Sequence, residues 1–196
     1  MTEPWPIQYL MPRNITRHLA PRTTAGTVAT SGFTQRVSVP NHGWLITYEE
    51  ILLHTEDQIR TWDAYEAYLD GGATPITVPL VGDSHGATDG VTVAAYPAGA
   101  TVMQIYREAP GVQAGWHFTI GERLYRCFGV TALPSNNYQF SFRPPLRDAV
   151  AFSAAVSFTA LFCRCRLFSD DEMTLKLEPG RYATGTVRFV EDPNTD

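Results

Sequence analysis

Residues 150–168 read VAFSAAVSFTALFCRCRLF, and the fold turns on where their apolar positions fall. Phe152, Val156, Phe158 and Phe162 stand on even numbers. Leu161, Cys163, Cys165 and Leu167 stand on odd ones, with Arg164 and Arg166 on the even sites between them. Successive side chains of a strand point to opposite faces, so the buried face changes parity near residue 161. One straight strand cannot do this. The stretch predicts two strands, or one strand that bends from one sheet into another.

Outward from this point the chain reads as short strands separated by turn residues. Upstream, Tyr138, Phe140 and Phe142 alternate ahead of Pro144-Pro145, and 116–120 and 123–130 flank a Gly121-Glu122 turn. Runs 91–96 and 101–106 are joined by Pro97-Ala98-Gly99, and 82–90 is a loop. Ile76, Val78 and Leu80 form a short strand, and Trp44, Ile46 and Tyr48 alternate in another. Downstream, Met173, Leu175 and Leu177 alternate, Glu178-Pro179-Gly180 turns the chain, and 182–190 is the last strand.

One segment has helical period. Ile59, Trp62, Tyr65 and Leu69 make a single apolar stripe. Thr55 and Gln58 have capping-box spacing, Glu56 and Asp57 suit the positive end of the helix dipole, and Asp70-Gly71-Gly72 stops the helix. The expected fold is mainly β: a β-sandwich or barrel-like domain with one flanking α-helix over 56–69.

Residues 1–40 carry Pro4, Pro6, Pro12, Pro21 and Pro40, which forbid a long helix and a central strand. This stretch is expected to be an extended arm with short strands, before a single β-rich domain over 41–196. Segment 27–39 can pair at an edge. Arms of this kind often order against a neighbour, so Trp5, Ile7, Arg13 and Phe33 are the candidate subunit contacts.

Charged residues make up 18% of the 196, below the about 25% usual for a free-standing domain, which suggests surface hidden against other chains. The net charge of −5 lacks the basic balance of a nucleic-acid binder. Three cysteines, Cys127, Cys163 and Cys165, are an odd number in apolar strand patterns, which reads as buried inert thiols. No apolar run reaches the ~18 residues of a membrane span, and the first residues do not read as a signal peptide.

Gly82-Asp83-Ser84-His85-Gly86 is similar to the Gly-Asp-x-His-Gly element of metallophosphoesterases, where Asp and His hold part of a two-metal site. The upstream Asp-x-His and later Asn-His-Glu that complete such a site do not occur. No βαβ alternation surrounds the string, and a Gly/Asp/Ser loop is everyday turn composition, so it is read as a turn. Asp170-Asp171-Glu172 reads as a solvated acidic turn. The expectation is a protein without catalytic, cofactor-binding or metal-binding residues.

The order of features resembles a family. A Trp-bearing strand leads into a helix and a Gly-rich stop. Then come the 118–126 ribbon FTIGERLYR, the 142–147 segment FRPPLR and the 177–182 segment LEPGRY, with an acidic last strand. Over roughly 44–191 this is similar to the small tail proteins of siphophages, the distal tail protein or a close minor tail relative. The resemblance implies a virion protein of the tail tip, assembled in the host cytoplasm as a ring of six copies. The ring would join the tail tube protein to the tip hub protein and leave a channel for DNA and the tape-measure protein. It implies no cofactor and no membrane insertion. A tail-terminator or head–tail connector subunit, or a small carbohydrate-binding tip module, are the alternatives.

Overall fold

The computed structural model describes residues 2–27, 34–86, 88–108, 111–175 and 183–194, with the backbone alone for 21–27 and 34–42. Among them are eleven strands and one α-helix. Five strands make an open antiparallel sheet: β1 (Asn14–Thr27), β2 (Thr34–Leu53), β3 (Ile76–Pro79), β10 (Phe162–Leu167) and β11 (Ala183–Glu191), in the order β1-β2-β11-β10-β3. The other six are β4 (Gly90–Thr92), β5 (Val102–Tyr106), β6 (His117–Ile120), β7 (Arg123–Leu133), β8 (Asn137–Arg143) and β9 (Ala155–Val156), in the order β6-β7-β8-β5-β4-β9. The two ends of this second sheet meet: Thr119 and Ser157 exchange backbone hydrogen bonds of 2.8 Å in both directions. The sheet thereby closes into a small barrel, in agreement with the mainly β expectation.

The passage from 150 to 168 behaves as its parity predicts. Val156 and Phe158 are buried in the barrel core, while Leu161, Cys163, Cys165 and Leu167 are buried in the core of the open sheet. The chain changes sheet between β9 and β10. The crossing is pinned where the Thr119 hydroxyl accepts from the Phe162 amide at 3.2 Å. Phe162, the first residue of β10, is only half-buried, and Phe152 departs from the pattern altogether. It stands before the crossing on an irregular turn and is 70% exposed.

The helix α1 (Glu56–Leu69) begins and ends where its sequence signals lie. Thr55 and Gln58 form both hydrogen bonds of the capping box, and Asp70 closes the helix in the left-handed conformation at φ 45°. Trp62 and Leu69 are fully buried against the open sheet. Gly121 takes φ 58° in the β6–β7 hairpin, the positive value such a two-residue turn requires.

Three expectations are corrected. Residues 2–20 belong to the domain. The strand β1 pairs Asn14–Ala20 with β2, while Trp5 and Thr77 are joined by a 2.9 Å backbone hydrogen bond beside β3. The prolines permit this because they fall outside the ladder or at its break: Pro21 lies at the register shift between Ala20 and Arg22. Second, the strand expected at 173–177 does not form as far as residue 175, where a turn over 170–173 runs into irregular chain, and the rest lies outside the described residues. Met173 is buried there to receive a hydrogen bond from Trp62. Third, the strand at 44–48 runs on to Leu53. A bulge sets Glu49 and Glu50 against Thr186, with Glu50 at φ 55°.

Candidate functional site

The barrel and the open sheet meet along β6, all four of whose residues are buried. Phe118 and Ile120 point into the barrel core. His117 and Thr119 point the other way, His117 against the edge of Trp44 from β2, with ring centroids 5.5 Å apart. The loop after β3 brings Asp83 and His85 to the same seam. Asp83 Oδ2 lies 3.1 Å from His117 Nδ1 and Asp83 Oδ1 lies 3.5 Å from His85 Nε2. Arg17 of β1 places Nη2 2.9 Å from Asp83 Oδ2. A histidine on a strand 32 residues downstream thus joins the two ligand-type residues of the Gly-Asp-Ser-His-Gly loop.

The loop is held by neighbours that take no part in the cluster. The His85 amide donates to Phe158 O at 2.8 Å, and His85 O accepts from Arg107 Nη2 at 2.6 Å. Arg107 is fully buried, lies over the rings of Trp116 and Phe158, and also donates to Thr88 O from Nε and Nη2. The His85 ring stacks on Trp116 at 5.0 Å with 8° between planes. Backbone and ring of His85 are therefore both fixed.

Burial lowers the pKa of His117 to about 4, helped by Arg17 and opposed by Asp83. His85 is lowered for the same first reason. Both imidazoles are neutral at pH 7, so their contacts with Asp83 are not ion pairs, whereas that of Arg17 is. Asp83 Oδ2, His85 Nε2 and His117 Nδ1 are buried and lack a hydrogen-bond partner. Arg17 reaches Asp83 Oδ2 in distance, but its N–H bonds are off-line for a hydrogen bond.

A group with a depressed histidine pKa binds its proton more readily when unfolded. Its contribution to stability is present above the unfolded value near 6.5 and is lost as pH falls towards about 4. In chelator-containing buffer, acidification from pH 7 to pH 4.5 should remove about 2 kcal/mol through this residue. The check is urea denaturation across that range for wild type and His117→Gln. The variant's stability should depend less steeply on pH.

The residues singled out as subunit contacts fare differently. Trp5 is 2% exposed and sits edge-on to Tyr48, Tyr65 and Phe189, with its Nε1 donating to Leu10 O; Ile7 packs against the same core. Both serve this chain's interior, because the turn at 6–10 folds them back onto the open sheet. Arg13 has an exposed side chain, and Phe33 lies outside the described residues. Cys127, Cys163 and Cys165 are buried free thiols, with burial raising Cys127 to about 11. Glu172 of the acidic turn is buried in an ion pair with Arg188 at 2.6 Å. The signal for His117 was present in the sequence: a histidine inside an otherwise apolar strand. Its partners lie too far along the chain for spacing to reveal.

No known protein family matches this chain, and no curated protein shows significant similarity to it.

Proposed function

We propose that this chain is a structural subunit of the tail tip of a long-tailed phage, forming a closed ring that joins the tail tube to the tip hub. The observation that carries the reading is the β1–β2 ribbon. The last strand β11 pairs with β2 only over Leu45–Leu53, yet β1 and β2 continue together through six further pairs, Arg22↔Val39 to Thr27↔Thr34. No third strand joins this extension among the described residues. A two-stranded ribbon is marginal by itself in water, and its free edges invite pairing. A neighbouring copy of the same chain is the occupant that suits it. Repeated head-to-tail, such a contact closes a ring. The low charged fraction fits a surface largely covered by other chains. The net charge of −5 suits a channel that passes DNA without holding it.

The test is imaging of the particle at a resolution that traces the chain. Six copies are expected in a ring, each ribbon laid on its neighbour, with acidic residues outnumbering basic ones on the channel wall. A variant joining Arg22 to Val39 through Asn-Gly keeps the rungs that β11 supports. It should fold and melt as the parent does, yet fail to enter particles. A single copy per particle, or rings formed without the ribbon, would refute the reading.

A further inference from the structure

We propose that Asp83, His85 and His117 bind one divalent transition-metal ion, with Zn²⁺ the best match. Two imidazole nitrogens and a carboxylate oxygen are the donor set that borderline cations prefer over Mg²⁺ or Ca²⁺. One ligand-type atom from each of the three residues lies within 4.8 Å of the other two, with His117 Nδ1 3.1 Å from Asp83 Oδ2 and His85 Nε2 3.5 Å from Asp83 Oδ1. Ligands about 2.0–2.1 Å from a tetrahedral ion stand roughly 3.3–3.4 Å apart, so the 3.1 and 3.5 Å pairs already fit, and any pair near the 4.8 Å limit closes by roughly 1.4 Å as the ion binds. His117 supplies the second observation. Its side chain is 7% exposed, and its Nδ1 is buried with no hydrogen-bond partner, as are Asp83 Oδ2 and His85 Nε2. Three such atoms converging on one point are costly for a fold to keep, and a single cation satisfies all of them.

The simpler rival is an ion pair between Arg17 and Asp83 with two packed imidazoles beside it. It accounts for the carboxylate's charge and leaves both ring nitrogens without a role. The two arrangements compete for the same oxygen. Arg17 stands on the edge strand with its side chain 32% exposed, so it can swing outward when an ion takes Asp83. Three protein ligands leave a fourth position for water or a small donor. The ion would join the loop after β3 to β6, and so tie the open sheet to the barrel. This inference is independent of the ring proposal, and either can fail alone.

The experiment uses the untagged full chain, stripped with chelator and titrated calorimetrically with Zn²⁺. Parallel titration with Co²⁺ reads nitrogen and oxygen ligation from its visible bands. One equivalent should bind, and His117→Gln should weaken binding about tenfold or more. Arg17→Ala should tighten it, a gain that misfolding cannot imitate, and circular dichroism checks that each variant is folded. Absence of binding by the folded parent overturns the site. Affinity unchanged by both His117→Gln and Asp83→Asn puts the ion elsewhere and overturns it equally. If His117→Gln does not fold, Co²⁺ bands lacking nitrogen ligation, or no gain from Arg17→Ala, overturn the site in its place.

Discussion

Trp62→Ala should destabilise the protein by about 4 kcal/mol, within the range for removing a fully buried large aromatic. Trp62 is 0% exposed, and its Nε1 donates to Met173 O at 2.8 Å, so the truncation opens a cavity and strands a buried carbonyl. Its position also explains Gly185, the third residue of β11. A Cβ there would lie 2.3 Å from Trp62 Cη2 and 2.5 Å from Cζ3. The indole is rigid and tied at its nitrogen, so it cannot retreat. Gly185→Ala should therefore cost about 1–3 kcal/mol in the native protein. In the Trp62→Ala background it should be close to neutral, because the methyl enters space the indole has left. Urea denaturation of the two single variants and the double variant measures the coupling. Additive losses would mean that the ring is not what excludes the methyl.

Asp192→Ala should cost about 3 kcal/mol, the low end for breaking a buried ion pair by removing one partner. The Asp192 side chain is 1% exposed, with Oδ2 3.4 Å from Arg164 Nε and 3.2 Å from Arg166 Nε. Its carbonyl receives Arg123, and its neighbour Glu191 pairs with Arg147 at 2.9 Å. Burial would raise the Asp192 pKa, but the close guanidiniums of Arg166 and Arg164 and the Asn194 amide donating to Oδ1 outweigh it and hold the group below its ordinary value. The group therefore contributes stability above the unfolded carboxylate range near 4 and loses it as pH falls through the lower folded value. The gap between wild type and Asp192→Ala should be widest at neutral pH and narrow below about pH 4. A uniform gap from pH 7 to pH 3 would place the loss in packing and not in charge.

Elements whose causes are local were legible in the sequence. The helix carries its own cap, stripe and stop within 55–72, and the parity change at residue 161 lies within one strand's length of the crossing it marks. What depends on distant partners was not legible. Trp5 lies in a proline-rich stretch and looks free, yet it is buried by Tyr48 and Phe189, which are far along the chain. Met173 and Leu175 alternate as a strand would, but a turn lets Met173 meet Trp62 from 111 residues away. The glycine at 185 was a missed signal, since a glycine inside a strand often marks close approach of another group. The candidate site was half legible: the loop drew attention to Asp83 and His85, and only the barrel's position supplied His117.

The order in which the sheets draw on the chain has a consequence for synthesis. All six barrel strands come from the unbroken stretch 90–156, so the barrel can form on the ribosome once that stretch has emerged. The open sheet instead takes strands from both sides of it, and its middle strand β11 is the last of the eleven to be made. Until then β2 and β10 each wait with one unpaired edge, on either side of a gap one strand wide. A premature stop shortly before residue 183 would leave that gap permanently open. The stunted product would have a finished barrel beside a sticky, split sheet, and should be found in inclusion bodies or cleared by proteases.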